Sequence, residues 1–289
     1  MIALWALAGG TMEEKRSVAT LIGVHLLVEL LGSKSNDLLV RACQAIETLC
    51  LGPHNKQQAI GATPGIWRLE SLIISMPLDR PQLLCASLRA LSALFLGPGF
   101  VPHKRNQDTL SSKRLLDILV DLATNCENPL VQAESAITLA AAVMGNKANE
   151  VIVRDAIGGA APSNENLTEK EKVEQAKAMA PRLTIVAVKK LLYHEDKEIA
   201  VLGGRALATL AFNSFERGHA IETAGGLRIK SFASFLRSPV TWVKIDAAFQ
   251  ILVLSRMIPD ADPATICAQS IQILSQILTN SHNSDELYL

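Results

Sequence analysis

The chain has 289 residues, of which 49% are hydrophobic, 19% charged and 4% aromatic, a composition too apolar for disorder and too poor in aromatics for a sheet-rich fold. Lys plus Arg and Asp plus Glu both count 28, so the formal net charge is zero and bulk charge does not direct the chain to nucleic acid or anionic membranes. No run of about 20 apolar residues is present, which excludes a membrane-spanning helix.

The opening stretch Met1 to Ala8 is apolar but short, with no basic residues before it, so it is a poor secretory signal. Within it, Ala3-Leu4-Trp5-Ala6-Leu7 carries a pattern that returns later, and 1–10 is expected to be a partial repeat. Five near-complete repeats are expected to follow, over 11–53, 54–99, 100–147, 148–214 and 215–258. Each has a short first helix, an apolar second helix and a third helix built around small residues. Second helices are predicted at Val24–Leu31, Leu115–Leu122, Leu183–Leu192 and Leu227–Leu236, nearly all apolar, as suits helices covered on both sides. Polar breaks at Ser33–Asp37, Pro77–Pro81, Cys126–Pro129, His194–Lys197 and Ser238-Pro239 separate second from third helices. Pro81, Pro129 and Pro239 suit the first turn of the helix that follows. Leu51-Gly52-Pro53 and Leu96-Gly97-Pro98 predict sharp helix ends, with Gly in the left-handed C′ position and Pro as the stop. Gly145-Asn146 and Asn213-Ser214 mark softer ends.

The third helices set the register. Ala42, Ser87, Ala133, Gly203 and Ala247 are separated by 45, 46, 70 and 44 residues. Three residues on come Ala45, Ala90, Ala136 and Ala206, then Gln250 in the last repeat. That spacing places both small residues on one helix face, where a neighbouring helix can approach closely. A period of this length means a solenoid, each unit covering the apolar face of the next. The long step reflects an insertion near 158–180 in the fourth repeat: Gly159–Asn166 is a loop by composition, and Thr168 with Glu171 forms a capping box that opens a charged helix. It is either a surface excursion or an appendage that touches a ligand or a neighbouring part of a longer protein. A terminal helix at 263–278 and a flexible polar tail at 279–289 complete the pattern. A solenoid cut within a repeat exposes an apolar face, so the chain is expected to be a piece or a short product of a longer protein.

Ala3-Leu4-Trp5-Ala6-Leu7, Ala42-x-x-Ala45-Ile46-x-x-Leu49 and Ala133-x-x-Ala136-Ile137 resemble the third-helix signature of armadillo repeats. Ala220–Leu227, with Ala-Gly-Gly before an apolar helix, resembles the turn from first to second helix. HEAT repeats are the nearest alternative; three helices per unit and the Gly turn favour armadillo. The repeats further resemble those of proteins that combine ankyrin and armadillo repeats. The resemblance implies an all-α, right-handed solenoid, a superhelix of three-helix repeats, whose third helices line a concave groove.

It also implies a non-enzymatic scaffold that binds an extended peptide or a helix along that groove. The alternative is an intramolecular structural segment that spaces or shields neighbouring ankyrin or armadillo repeats. Import receptors of this fold use recurring Trp and Asn. Here the Trp-like place holds Trp5, Gln44, Arg89, Ser135, Arg205 and Phe249, and the Asn-like place Gly9, Thr48, Ala93, Leu139, Thr209 and Val253, which speaks against import-signal binding. Candidate groove residues are Gln44, Arg89, Arg205 and Phe249, with Arg41 and Lys244 as weaker candidates. Aligned arginines bind carboxylates bidentately and favour an acidic peptide, unless local ion pairs consume them.

No enzyme motif, cofactor or metal site is expected. The six His are scattered without metal-ligand spacing, and the Gly-rich places lack the strand–loop–helix setting of phosphate loops. The five cysteines, Cys43, Cys50, Cys85, Cys126 and Cys267, form no C-x-x-C pair and are expected as buried free thiols in an intracellular, cytoplasmic or nuclear protein. Trp5, Trp67 and Trp242 are expected to be core or inter-repeat wedges, with a partner hot spot as the alternative.

Overall fold

The computed structural model describes residues 12–51, 54–75, 79–110, 113–157 and 183–280. The expected partial repeat at 1–10, the insertion at 158–180, the helix stop at Gly52-Pro53 and the chain beyond 280 lie outside the described residues. Among the described residues no helix is long and apolar enough to cross a membrane. Two compact units form, one within Met1–Leu119 and Thr138–Asn146, the other within Val120–Ile137 and Lys147–Leu287.

The first unit begins with α1 (Met12–Ile22), α2 (Val24–Leu30) and α3 (Asn36–Cys50). Gly23, at φ 82°, turns the chain between α1 and α2, and the Ser35 hydroxyl accepts the Leu38 N–H to cap α3. A second triplet follows in α4 (His54–Gly61), α5 (Gly65–Ser75) and α6 (Pro81–Phe95). Pro81 does start α6, where its missing N–H costs nothing. The third helices α3 and α6 pack on each other through Ala42, Ala45, Ser87 and Ala90, all fully buried, and Cys43 Sγ lies 3.6 Å from Ser87 Oγ.

One local expectation fails after α6. Gly97 is extended, not left-handed, because Leu96–Gly97 (β1) pairs antiparallel with Val101–Pro102 (β2). The left-handed residues of this turn are Gly99 and Phe100 instead. The chain continues through α7 (Lys104–Asp108) into α8 (Lys113–Asn125) and α9 (Pro129–Val143), both of which contribute to the two units.

In the second unit the Asn128 carboxamide accepts the Leu130 and Val131 N–H groups at the start of α9. Then come α10 (Lys147–Ile157), α11 (Leu183–Leu191), α12 (Lys197–Ala211), α13 (Phe215–Thr223), α14 (Ile229–Leu236), α15 (Thr241–Leu254) and α16 (Pro263–Asn280). Asp196 and Ser214 cap α12 and α13. Asp262 caps α16: its Oδ2 accepts the Thr265 N–H at 3.0 Å and the Thr265 hydroxyl, which hold its carboxyl below the usual carboxylate range. The third helices α12 and α15 pack on each other with Gly204 against Gln250, and Ala206 and Ala247 are fully buried. A Cβ on Gly203 would lie 2.8 Å from both Leu191 Cβ and Leu192 N, so glycine is needed where α12 meets the end of α11.

The thiols and tryptophans depart in part from expectation. Cys43, Cys50 and Cys85 are buried and Cys126 and Cys267 partly exposed; all five are free. Burial pushes the Cys43 thiol up to about 12 and the Cys50 thiol higher still. Trp67 is no wedge: it is 62% exposed on α5, because Ile66 and Leu69 take the buried side of that helix. Trp242 is partly exposed, and Trp5 lies outside the described residues.

Candidate functional site

Third helices are buried along most of their length. In α3, Cys43, Ala45 and Ile46 are buried while Gln44 is partly exposed; in α6, Leu88, Ala90 and Leu91 are buried while Arg89 is partly exposed. In α12 the corresponding opening is Arg205, between buried Gly204 and Ala206, and in α15 it is Phe249, between buried Ala248 and Gln250. Ser135, at the same position of α9, is buried.

The first unit brings together Arg41, Gln44 and Arg89. Arg41 is exposed, and its Nη1 donates to Gln44 Oε1 at 3.1 Å, as a three-residue helical spacing allows. Arg89 Nε stands 3.9 Å from Glu47 Oε2, with the two side chains 39% and 26% exposed. Asp37, exposed one turn before Arg41 on α3, adds a second anion beside these two cations.

In the second unit Arg205 Nε donates to Asp246 Oδ1 at 3.0 Å. Arg205 is 41% exposed and Asp246 only 9%, so the arginine is the outward partner of a half-buried pair. Gln250, fully buried, donates through Nε2 to Asp246 Oδ2 at 3.2 Å and to the Val201 carbonyl at 2.9 Å. Its carboxamide occupies the space beside Gly204 that any side chain there would take. The ring of Phe249 meets that of Phe212 with centroids 6.2 Å apart and planes tilted by 34°. Lys244 is partly exposed, but it sits two residues from Asp246, about 200° around the helix, and so lies off the face of Asp246 and Phe249.

Glu47, Asp246 and Phe212 complete these surfaces and were not singled out from the sequence; Gln250 stood out there only as the departure from the small-residue register. A signal for the acids existed: each lies on the neighbouring third helix, about one repeat away from the arginine it meets. Among the described residues no group of three or more His, Cys, Asp or Glu side chains is placed to hold a metal ion.

Comparison with known proteins agrees with the helix triplets and small-residue seams. The chain superimposes on a designed armadillo repeat protein with a TM-score of 0.51 at 19% identity, covering 87% of this chain and 90% of that one. The chain has the fold of an armadillo-repeat solenoid. A second designed armadillo repeat protein, in complex with the peptide (KR)4, gives a TM-score of 0.50 at 17% identity, and an engineered protein gives 0.56 at 19%. In sequence, this armadillo chain is 28% identical over 269 residues to the mouse ankyrin and armadillo repeat-containing protein, and 29% identical over 201 residues to the human protein of that name. Those matches cover 93% and 70% of the chain but only 17% and 12% of the relatives' own length. No protein-family profile matches.

Proposed function

We propose that this armadillo chain is a non-enzymatic protein-binding scaffold that docks an extended peptide on the third-helix surface of each unit. The observation that carries the proposal is the partly exposed pair of equivalent third-helix positions on each unit, Gln44 and Arg89 on the first, Arg205 and Phe249 on the second. A designed relative in fold holds a peptide, which supports the same style of work here. On the first unit the guanidinium groups of Arg41 and Arg89 are the ones that would meet an acidic segment. A protein that works this way acts inside the cell, in the cytoplasm or nucleus.

The test is a fluorescence-anisotropy titration with a labelled Glu-Leu repeat peptide. Replacing Arg41→Glu and Arg89→Glu together is expected to weaken binding by about tenfold or more, with steep salt dependence in the parent chain. Unchanged affinity in the double variant removes the acidic-partner assignment. The second reading, a segment that packs within a longer ankyrin and armadillo protein, is favoured by the small share of the relatives that the chain covers. Light scattering on the same sample separates the two. Self-association of the free chain speaks for an uncovered packing face, and a clean monomer speaks for the scaffold.

A further inference from the structure

We propose that the second unit's third-helix surface takes an uncharged, extended segment through one apolar side chain, seated on Phe249 and Phe212 and rimmed by the Arg205–Asp246 pair. The proposal rests on reading the third helices as a docking surface and assigns the chemistry of the occupant there.

Charge argues for it first. Arg205 looks like an anion hook in the sequence, but its Nε is committed to Asp246 at 3.0 Å. The Asp246 carboxylate is in turn held on its other oxygen by Gln250, which is anchored to the Val201 carbonyl. Guanidinium and carboxylate are therefore a fixed, locally neutral pair. An incoming carboxylate that met Arg205 would also meet the charge of Asp246, and an incoming ammonium would meet Arg205. Lys244 lies off this face and adds nothing to it. An occupant without charge at this point avoids both penalties.

Shape and surface argue second. Phe249 and Phe212 are partly exposed and in ring contact, so they offer an apolar shelf beside the ion pair. Aromatic side chains at the centre of a contact with a polar rim are a common make-up of a binding hot spot. On the same face as Phe249, one turn away, Ile245, Leu252 and Val253 are also partly exposed, so the apolar surface continues along α15 and suits an apolar side chain of an extended segment. The two units then differ: the first presents Arg41, Gln44 and Arg89, the second an apolar shelf beside a neutral pair.

The test is selection from a phage-displayed library of random peptides on the immobilised full chain, followed by titration of the enriched peptides. Peptides lost from the Phe249→Ala variant but kept by Arg41→Glu/Arg89→Glu report the second unit. They are expected to carry an aliphatic or aromatic residue in a segment of near-zero charge. Phe249→Ala should weaken them by about tenfold, while Arg205→Gln and a rise in salt should each change their affinity by less than about threefold. Circular dichroism checks that Phe249→Ala folds; if it does not, Phe212→Ala takes its place. Peptides sensitive to these Phe variants that are instead rich in Asp and Glu, and that Arg205→Gln abolishes, overturn the assignment while leaving peptide docking intact. Failure to enrich any peptide that distinguishes the parent from its variants overturns both.

Discussion

Gly203 illustrates how one missing side chain fixes a helix contact. Its position is small in every repeat, and the sequence alone marks it as a place of close approach. The structure adds what it approaches: the Leu191 side chain and the backbone of Leu192. Backbone cannot rotate away, unlike the Gln250 carboxamide that faces Gly204. Overpacking of this kind costs about 1–3 kcal/mol, against a gain of about 1 kcal/mol for Ala over Gly inside a helix. Gly203→Ala is therefore expected to lower the urea midpoint with an unchanged slope. A raised midpoint would show that α11 and α12 part easily and that the contact is loose. The sequence also marks the Arg positions, but not their partners. Glu47 and Asp246 belong to the adjacent third helix, so only the repeat period, and no local spacing, pairs them with Arg89 and Arg205. This is why the second unit reads as cationic in the sequence and neutral in the structure.

At the scale of the element, helix ends explain a group of buried polar residues that periodicity leaves unassigned. Gln57, on first helix α4, donates to the Ala93 carbonyl at 2.6 Å, and Gln107, on α7, to the Ala141 and Met144 carbonyls at 2.8 and 3.0 Å. Asn106 bridges the Gln57 and Leu94 carbonyls at 3.1 and 2.9 Å. In the second unit Arg217, on α13, reaches the Leu210 carbonyl at 3.1 Å and pairs with Glu150. First helices thus supply donors to carbonyls near the C-termini of third helices, which have no partner within their own helix. Apolar patterning predicts that these short helices exist but treats their Gln and Asn as solvent-facing. Asn106→Ala should cost about 1–3 kcal/mol for each buried carbonyl it leaves unsatisfied. A Cβ on Gly61 would collide with Asn106 Oδ1, so Gly61→Ala should also destabilise. The two losses share one cause. In a double-mutant cycle Gly61→Ala should cost less in the Asn106→Ala background, with a coupling of about 1 kcal/mol or more. Strict additivity would mean that the amide does not bridge these helices in solution.

At the scale of the whole molecule, the period of Ala, Gly and Ser along the third helices carries the architecture, and those positions are buried in both units. The same seams decide which thiols react. Cys43 and Cys50 are buried on α3, with Cys43 against Ser87 of α6, and Cys85 is buried on α6, whereas Cys126 and Cys267 are partly exposed. The thiolate is the reactive form, and burial holds Cys43 protonated up to about 12. Raising the pH from neutral to mildly alkaline should therefore speed maleimide labelling of Cys126 and Cys267, while the other three wait for local opening whatever their ionisation. Because α3 and α6 pack directly on each other, Cys43, Cys50 and Cys85 should become reactive together at one urea concentration, as nearest-neighbour coupling in a repeat stack requires. Peptide mapping after pulsed labelling reads each site separately. Distinct midpoints for α3 and α6 would mean that these helices open independently, and that the small-residue seam does not couple one armadillo repeat to the next.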